Sequence, residues 1–381
     1  MTSVREIQQQ LDRLAPPALA ESWDNVGLLI GDPAQPVRTI VVALDATAGV
    51  LEQASQRQAE LLVVHHPLIF TGLKRLIEDE GVAMLVRRLV REERSLLAAH
   101  TNLDSAPAGL NHAVGALLGL THLRPLVPSE AHLLYKLVVY VPESAVESVR
   151  DAICTAGAGH IGKYDQCTFA AAGTGTFRPG EGTRPFSGTP GVLAQVAEIR
   201  LETVVPRPQL RSVLHALHTN HPYEEIAYDL LPLENAWPGA GLGCLGVLPA
   251  PLTAGDFFTH VRKTLPAPRA GFIGDCNQPI RTVALCTGAG GDFLEHARRA
   301  GADLYLSGEI KHHQALLARQ YGLAVIDAGH FPTERPAVPL LATHLRTAFP
   351  DLQIVEADEA DPFQTMAILP NTPDFGSITL G

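Results

Sequence analysis

The stretch VRTIVVALDATAGVLEQASQRQAELLVVHHPLIF, residues 37–70, decides the fold class. Its two apolar runs, 37–46 and 60–66, are separated by a stretch whose apolar residues have helical spacing. Nearly continuous apolar strands that alternate with helices are typical of a parallel sheet covered on both faces. The stretch therefore predicts an α/β domain in which His65 and His66 stand at the end of a strand.

The same alternation continues to about residue 120 and returns from residue 281 onward. Each region has the order strand, helix, strand, helix, strand, and each third strand ends in a histidine followed four positions later by a carboxylate. These two pairs are His100 with Asp104 and His330 with Glu334. The match predicts two similar α/β halves with parallel-rich sheets that together form one host domain.

The region between the halves has a different order of predicted helices and strands. A strand, a helix, a glycine-rich segment, a second strand, a second helix and a last strand follow one another there. This order is typical of ferredoxin-like α+β folds. We therefore predict an inserted domain, residues 131–235, within a host domain formed by residues 1–130 and 236–381.

Composition indicates the compartment and limits the partners. The 381 residues are 46% hydrophobic and 18% charged, as in a folded globular protein. No apolar run reaches the ~18 residues needed to span a membrane, and the N-terminus lacks the apolar segment of a signal peptide. Five cysteines, an odd number without a C-x-x-C pair, favour the reducing cytoplasm. A net charge of -11 argues against general nucleic-acid binding.

Three strand ends carry the candidate metal ligands His65, His66, Asp104, His330 and Glu334. The carboxyl ends of parallel strands meet at one edge of a sheet, so these side chains are expected to lie close together. Imidazole and carboxylate groups without a thiolate suit zinc, manganese, iron and similar divalent ions. Because neighbouring strand side chains diverge, His65 and His66 are expected to bind two adjacent ions bridged by a carboxylate.

Each of these residues also has an interpretation without a metal. The histidines of the HHP sequence could cap backbone groups at a strand end, and Asp104 could form an Asx turn. Two other segments leave alternatives open: Trp23 either lines the site or anchors the core. The sequence HPYEE, residues 221–225, is compatible with another metal site, but its position favours a turn before the last strand.

Several longer motifs carry a family resemblance. In the host regions they are SWDNVGLLIGDP (22–33), VVHHPLIF (63–70), HTNLDSAPAGLN (100–111) and IDAGHFPTE (326–334). These motifs resemble the Nif-three-like family, also called GTP cyclohydrolase I type 2 homologues. In the middle region GHIGKYDQCTF (159–169), GTGTFRP (173–179) and HPYEEIAYDLLPL (221–233) resemble the insertion of longer bacterial members.

The resemblance implies two divalent metal ions per chain, with zinc first and manganese, iron, cobalt or nickel as alternatives. It implies His66 and Asp104 on one ion, His65 and His330 on the other, and Glu334 bridging both. It also implies a homohexamer, and an insertion of the PII and CutA type that is associated with trimerisation and small-ligand sensing.

The activity implied by the resemblance is metal-dependent hydrolysis of GTP or another nucleotide-like or phosphorylated compound. In this interpretation His100 orients a neighbouring ligand. His313, near the start of a helix, either donates to a substrate oxyanion or to metal-bound water, or is a solvated histidine at the helix start. The alternative is a non-enzymatic protein that binds metal or senses a small ligand as part of a regulatory assembly. The sequence alone does not separate the two.

Overall fold

The computed structural model describes residues 2–77, 81–129, 134–162, 164–235 and 239–363. Within these residues the strands are β1 (Gly27–Ile30), β2 (Thr39–Ala43), β3 (Leu61–Val64), β4 (Ser95–Ala98), β5 (Thr121–Pro128), β6 (Leu134–Pro142), β7 (Thr168–Phe177), β8 (Ala194–Pro206), β9 (Tyr228–Pro232), β10 (Gly241–Thr253), β11 (Gly271–Ile273), β12 (Pro279–Cys286), β13 (Leu304–Ser307), β14 (Ala324–Asp327) and β15 (Gln353–Glu356). The α-helices are α1 (Val4–Leu14), α2 (Ala48–Gln56), α3 (Gly81–Arg91), α4 (Thr101–Ser105), α5 (Leu110–Leu117), α6 (Val146–Thr155), α7 (Leu210–Asn220), α8 (Ala254–Thr264), α9 (Leu294–Arg299), α10 (His312–Tyr321), α11 (His330–Glu334) and α12 (Ala337–Ala348).

The first sheet has the strand order β1-β4-β3-β2-β15. Strands β15, β2, β3 and β4 are parallel, and β1 is antiparallel at the edge. Every residue of β2 and β3 is buried. Because helices and loops cover both faces, these strands are apolar throughout and lack the alternation of a half-exposed sheet.

The second sheet has the order β11-β14-β13-β12-β10-β5. Its centre, β12 to β14, is parallel, whereas β10, β5 and β11 pair antiparallel. One hydrophobic core contains Ile40 and Val42 of the first sheet together with Leu285 and Leu306 of the second. The two sheets therefore share a core, and the prediction of an α/β protein is confirmed at this level.

A third sheet, with the order β7-β8-β6-β9, is antiparallel throughout. Helices α6 and α7 pack on it around a separate core that includes Leu137, Val149 and Val213. The chain on either side of this region meets again, because the backbone N–H of Ser129 donates to the carbonyl of Ala240 at 3.0 Å. The predicted boundaries at residues 131 and 236 lie outside the described residues.

Two further observations bear on the environment of the protein. Among the described helices, none is both long enough and apolar enough to cross a membrane. The five cysteines are all free in the structure, and Cys154, Cys244 and Cys286 are buried. The three buried cysteines therefore contribute to packing, and none of the five is cross-linked.

Candidate metal centre

His65 and His66 extend strand β3. Their backbone N–H groups donate to the carbonyls of Ala43 and Leu44, at 3.2 and 2.9 Å, so the pairing with β2 continues past the last residue of β3. The two imidazole rings lie 5.0 Å apart between centroids. The pairing with a buried neighbouring strand therefore fixes both histidines at the carboxyl edge of the first sheet.

The two predicted His-x-x-x-carboxylate pairs both lie at short helices. His100 precedes α4, which contains Asp104, and α11 begins at His330 and ends at Glu334. Residues four apart on a helix lie on the same face. In α11 this brings Nε2 of His330 to 2.8 Å from Oε2 of Glu334. The four-residue spacing in the sequence thus corresponds to one helical turn.

The carboxylate of Glu334 lies next to three of the histidines. Its side chain is 5% exposed, and its Oε2 lies 2.8 Å from Nε2 of His66 as well as from Nε2 of His330. Its Oε1 lies 4.0 Å from Nε2 of His65. Burial would raise the pKa of Glu334, but hydrogen bonds from His330 and His66 outweigh burial and hold that pKa well below its usual value.

The Nδ1 atoms of the three histidines are held from outside the cluster. An oxygen acceptor lies within hydrogen-bond distance of each: Ala99 O at 2.8 Å for His65, Asp45 Oδ1 at 2.9 Å for His66 and Glu309 Oε1 at 2.7 Å for His330. Carbonyl and carboxylate oxygens only accept, so Nδ1 carries the hydrogen in each ring. Each Nε2 is therefore directed inward, the arrangement usual for histidines that bind metal.

The three imidazoles differ in charge. Burial lowers the pKa of His65 to about 3, so this ring is neutral and its Nε2 presents a lone pair. Burial also acts on His66, but Asp45 and Glu334 outweigh it and raise the pKa to about 10. The pKa of His330 is raised to about 9, against burial, chiefly by Glu334. A cation that binds here must displace protons from two of these histidines.

An unsatisfied pair of atoms tests whether these residues fit a metal ion. Nε2 of His65 and Oδ1 of Asp104 are buried and lie 3.7 Å apart, and neither has a hydrogen-bond partner in the described part of the chain. That separation is too long for a hydrogen bond between them. Burial, followed by the charge of Glu334, raises the pKa of Asp104 well above its usual value. A buried imidazole nitrogen and a buried carboxyl oxygen that face each other without partners fit a shared cation, which would replace the carboxyl proton.

His100 lies beside His65 and His66, with ring centroids 5.2 and 5.4 Å away. Its Nδ1 lies 2.9 Å from Oδ1 of Asp24, whose side chain is fully buried. Burial would raise the pKa of Asp24, but hydrogen bonds from His100 and Thr101 hold it at about 2. The atoms of His65, His66 and His100 that could bind a metal ion lie within 4.8 Å of one another. The same holds for His66, His330 and Glu334. Two overlapping groups could thus hold a metal.

The cluster opens onto a cavity of about 1030 Å³. Trp23 and Phe70 line it, with 60% and 48% of their surface exposed, and both rings lie edge-on to His100, at 6.0 and 5.6 Å. Trp23 therefore lines the cavity and is not a core anchor. A bound molecule would meet aromatic walls beside the donor atoms.

The structure assembles the five predicted ligands and His100, but not His313. His313 is exposed near the start of α10 and does not line the cavity. The structure groups His66 with His330, whereas the family resemblance places His66 with Asp104. Both the distribution of ligands between two ions and the role of His313 stay predictions.

Sequence reasoning missed the carboxylates that hold the histidines. Asp45 follows β2, so its position at the carboxyl end of a buried strand was the signal that could have identified it. Asp24 lies within the SWDNVGLLIGDP sequence, residues 22–33, but was not singled out as a site residue. Glu309 lies in the loop before α10, and no local pattern marks it as a partner of His330.

Comparison with known proteins places this geometry in a family. The family model for Duf34/NIF3 (NGG1p interacting factor 3) matches residues 2–362. A protein of Halalkalibacterium halodurans named GTP cyclohydrolase 1 type 2 homolog is 40% identical over 322 residues, which cover 84% of this chain and 87% of that protein. A Bacillus subtilis protein of the same name is 38% identical over 327 residues, 86% of this chain and 88% of that protein.

Solved structures show the same relationship. A Bacillus cereus protein related to NIF3 superposes with a TM-score of 0.85 at 36% identity, covering 96% of this chain and 99% of that one. A Staphylococcus aureus protein superposes with a TM-score of 0.73 at 28% identity over the same shares of both chains. On the family match and these relatives, the chain belongs to the Duf34/NIF3 family.

Proposed function

We propose that this protein is a dinuclear divalent-metal hydrolase that acts on GTP or another nucleotide-like or phosphorylated compound. The observation that supports it best is the unsatisfied pair His65 and Asp104, which lies beside Glu334 at a large cavity. The residues that would hold the two ions are His65, His66, Asp104, His330 and Glu334. Zinc suits this nitrogen and oxygen donor set, as do manganese, iron, cobalt and nickel.

Bound divalent ions would supply Lewis-acid activation of water and stabilisation of negative charge at the attacked centre. The chain itself supplies the orientation of the donors. Asp45 and Glu309 hold the rings of His66 and His330 by their Nδ1 atoms. Asp24 holds His100 in the same way, so we assign His100 the role of a positioning residue whose ring faces the cavity. His313 remains a second candidate, for contact with a substrate oxygen.

The walls of the cavity support the proposed substrate class. Trp23 and Phe70 offer exposed aromatic surface to a planar ring next to the donor atoms. The name of the relatives, GTP cyclohydrolase 1 type 2 homolog, points to the same class of compound. Fold and ligand set do not choose a substrate, so GTP is one member of the class and not its definition.

We extend the proposal to the organisation of the protein. The family resemblance supports a cytoplasmic homohexamer, and the odd set of free cysteines suits a reducing compartment. Residues 131–235 form the inserted ferredoxin-like domain of PII and CutA type in this proposal. The host consists of two repeated halves, each with three adjacent parallel strands, β2 to β4 and β12 to β14.

The deciding experiment is a turnover assay with protein loaded in turn with each candidate metal. Substrates are a library of nucleotides and phosphoesters, and products are identified by mass spectrometry. We expect a product from the loaded protein and none from Asp104→Asn, which lacks one ligand. Tight nucleotide binding without chemical change for every metal would instead establish the non-enzymatic sensing alternative.

A further inference from the structure

A second cavity, of about 460 Å³, lies in the region of the antiparallel sheet. It is formed by the end of β7, the loop after it, β8 and the loop before β9, none of which contributes a proposed metal ligand. Its walls carry Phe177, Phe186 and Tyr223 and the carboxylates of Glu198, Glu224 and Glu225. The volume is that of a site for a small organic molecule.

Tyr223 is the centre of the aromatic wall. Its ring lies 6.4 Å from the ring of Phe177 and 5.9 Å from that of Phe186, between centroids. Its hydroxyl donates to Oε1 of Glu198 at 2.8 Å. Burial, and then Glu198, raises the pKa of Tyr223, so the hydroxyl stays neutral and keeps its proton. Three aromatic rings are thus held next to a carboxylate.

The backbone makes room for that carboxylate. A Cβ atom at Gly175 would lie 1.9 Å from Oε2 of Glu198, so any other residue would displace the Glu198 side chain. The carboxylate of Glu224 accepts from the backbone N–H of Arg184, at 3.0 and 3.2 Å, and so holds the loop over the cavity. Glu225 is exposed and forms no hydrogen bond or ion pair within the described ranges.

His221, the histidine of the HPYEE sequence, is not available as a metal ligand beside this cavity. Its Nδ1 accepts from the backbone N–H of Tyr223 at 3.1 Å, so its Nε2 carries the hydrogen and donates to the carbonyl of Tyr140 at 3.0 Å. One ring nitrogen is hydrogen-bonded within the turn and the other to strand β6, so neither is free to bind an ion. The HPYEE sequence therefore shapes the turn through its histidine and lines the cavity through its tyrosine and glutamates.

We propose that this cavity binds a small organic cation with an ammonium group. Aromatic faces attract cations, and the attraction is strongest where water is partly excluded. The three carboxylates outnumber the single guanidinium group on the wall, that of Arg178, so the local charge favours a cation. An ammonium ion would place its charge between the rings and the free carboxylate of Glu225.

The test uses the full chain with its metal and three probes: choline, putrescine and 3,3-dimethylbutan-1-ol, the neutral isostere of choline. Ligand-observed NMR and calorimetry measure the dissociation constants. We expect at least one of the two cations to bind about tenfold more tightly than the neutral isostere. The proposal is overturned if neither cation binds more tightly than the neutral isostere, or if no cation binds up to about 10 mM.

Variants locate the site. Glu225→Gln removes one charge without shortening the side chain, and Phe186→Ala removes one aromatic face; each should weaken cation binding about fivefold or more. The matched control is Glu147→Gln on α6, an exposed glutamate outside the cavity, which should bind as the wild type does. Circular dichroism and metal content must be the same in all three variants.

Two results with these variants would contradict the assignment. If Glu225→Gln and Phe186→Ala both fold and bind the cations as Glu147→Gln does, the cavity is not the site. If instead inorganic phosphate binds the full chain and the Arg178→Ala variant loses it, the cavity is an anion site. Failure of the hydrolase proposal would leave these outcomes unaffected, because no metal ligand lies in this region.

Discussion

Nε2 of His65 and Oδ1 of Asp104 face each other 3.7 Å apart in the interior, and neither atom has a hydrogen-bond partner among the residues described. A buried polar atom without a partner destabilises the fold by about 1–3 kcal/mol. The same two atoms are suited to share a cation. The pair should therefore destabilise the metal-free protein and stabilise the metal-bound protein.

The first prediction is that Asp104→Asn has opposite effects with and without metal. The amide removes an acidic group whose ionised form is disfavoured by burial and by the charge of Glu334, so the variant treated with chelator should be more stable than chelated wild type. With metal present it should be less stable, because a ligand is lost. Urea unfolding in both conditions measures this. The exposed Asp351→Asn is the control, and unchanged metal content in Asp104→Asn would count against the site.

The second prediction concerns Glu334. Because His66 and His330 both contact its Oε2 at 2.8 Å, Glu334→Ala should lose more metal than either His66→Ala or His330→Ala. We expect wild type to carry about two ions per chain and Glu334→Ala to carry almost none. Elemental analysis of protein purified without chelator measures the content. Full occupancy in Glu334→Ala would remove the bridge from the proposal.

The third prediction is that metal binding releases protons. The pKa of His66 is about 10 and that of His330 about 9, so both rings are protonated at pH 7 to 8 before metal arrives. Binding should therefore release about two protons per chain, and apparent affinity should rise with pH through about 9 to 10. Calorimetry in buffers of different ionisation enthalpy counts the protons. Affinity independent of pH would contradict the charge state assigned to these rings.

The same pKa shifts act on the stability of chelated protein. A histidine whose folded pKa lies above its unfolded value, near 6.5, stabilises the fold fully below that value. The stabilisation is lost as pH rises through the folded pKa. Chelated wild type should therefore lose stability between about pH 7 and pH 10, whereas metal-loaded protein should lose less. Thermal unfolding at a series of pH values measures the difference.

The fourth prediction concerns residues 131–235. The N–H of Ser129 bonds to the carbonyl of Ala240 at 3.0 Å, so a short Gly-Ser linker joins the flanking chain without strain. Replacing 131–235 by that linker should leave metal content at the wild-type level, since every proposed ligand lies outside. Elemental analysis and circular dichroism test this. A deletion variant that folds but binds no metal would show that the host alone does not build the site.

Local pattern placed the candidate ligands at strand ends but did not identify the groups that hold them. His65 and His66 follow the continuous apolar run of β3, which marks a buried strand and its end. Asp45 occupies the same kind of position after β2, yet its contact with His66 depends on β2 and β3 being neighbours. Such pairings join distant residues, and a single sequence does not encode them locally.

The strands also divide into those marked by a local pattern and those whose pairing depends on distant residues. Strand β15 follows the second half of the host in the sequence, but it pairs with β2 in the first sheet. Strand β10 escaped prediction because glycine and proline within GLGCLGVLPAPLT weaken the strand pattern. The antiparallel edge strand β1 is partly exposed along its whole length. Continuous apolar runs made β2, β3 and β12 to β14 predictable.

The pairing of β15 with β2 has a consequence for a chain made on the ribosome. Glu359, just after β15, accepts from the backbone N–H groups of Leu44 and Asp45, 315 residues earlier in the first case. The first sheet, and the loop that places Asp45 beside His66, are complete only when the last part of the described chain has emerged. The antiparallel sheet in the middle needs no such delay, because among the described residues its four strands pair only with one another. A nascent or truncated chain should thus hold a folded antiparallel sheet while the candidate metal centre is still unfinished.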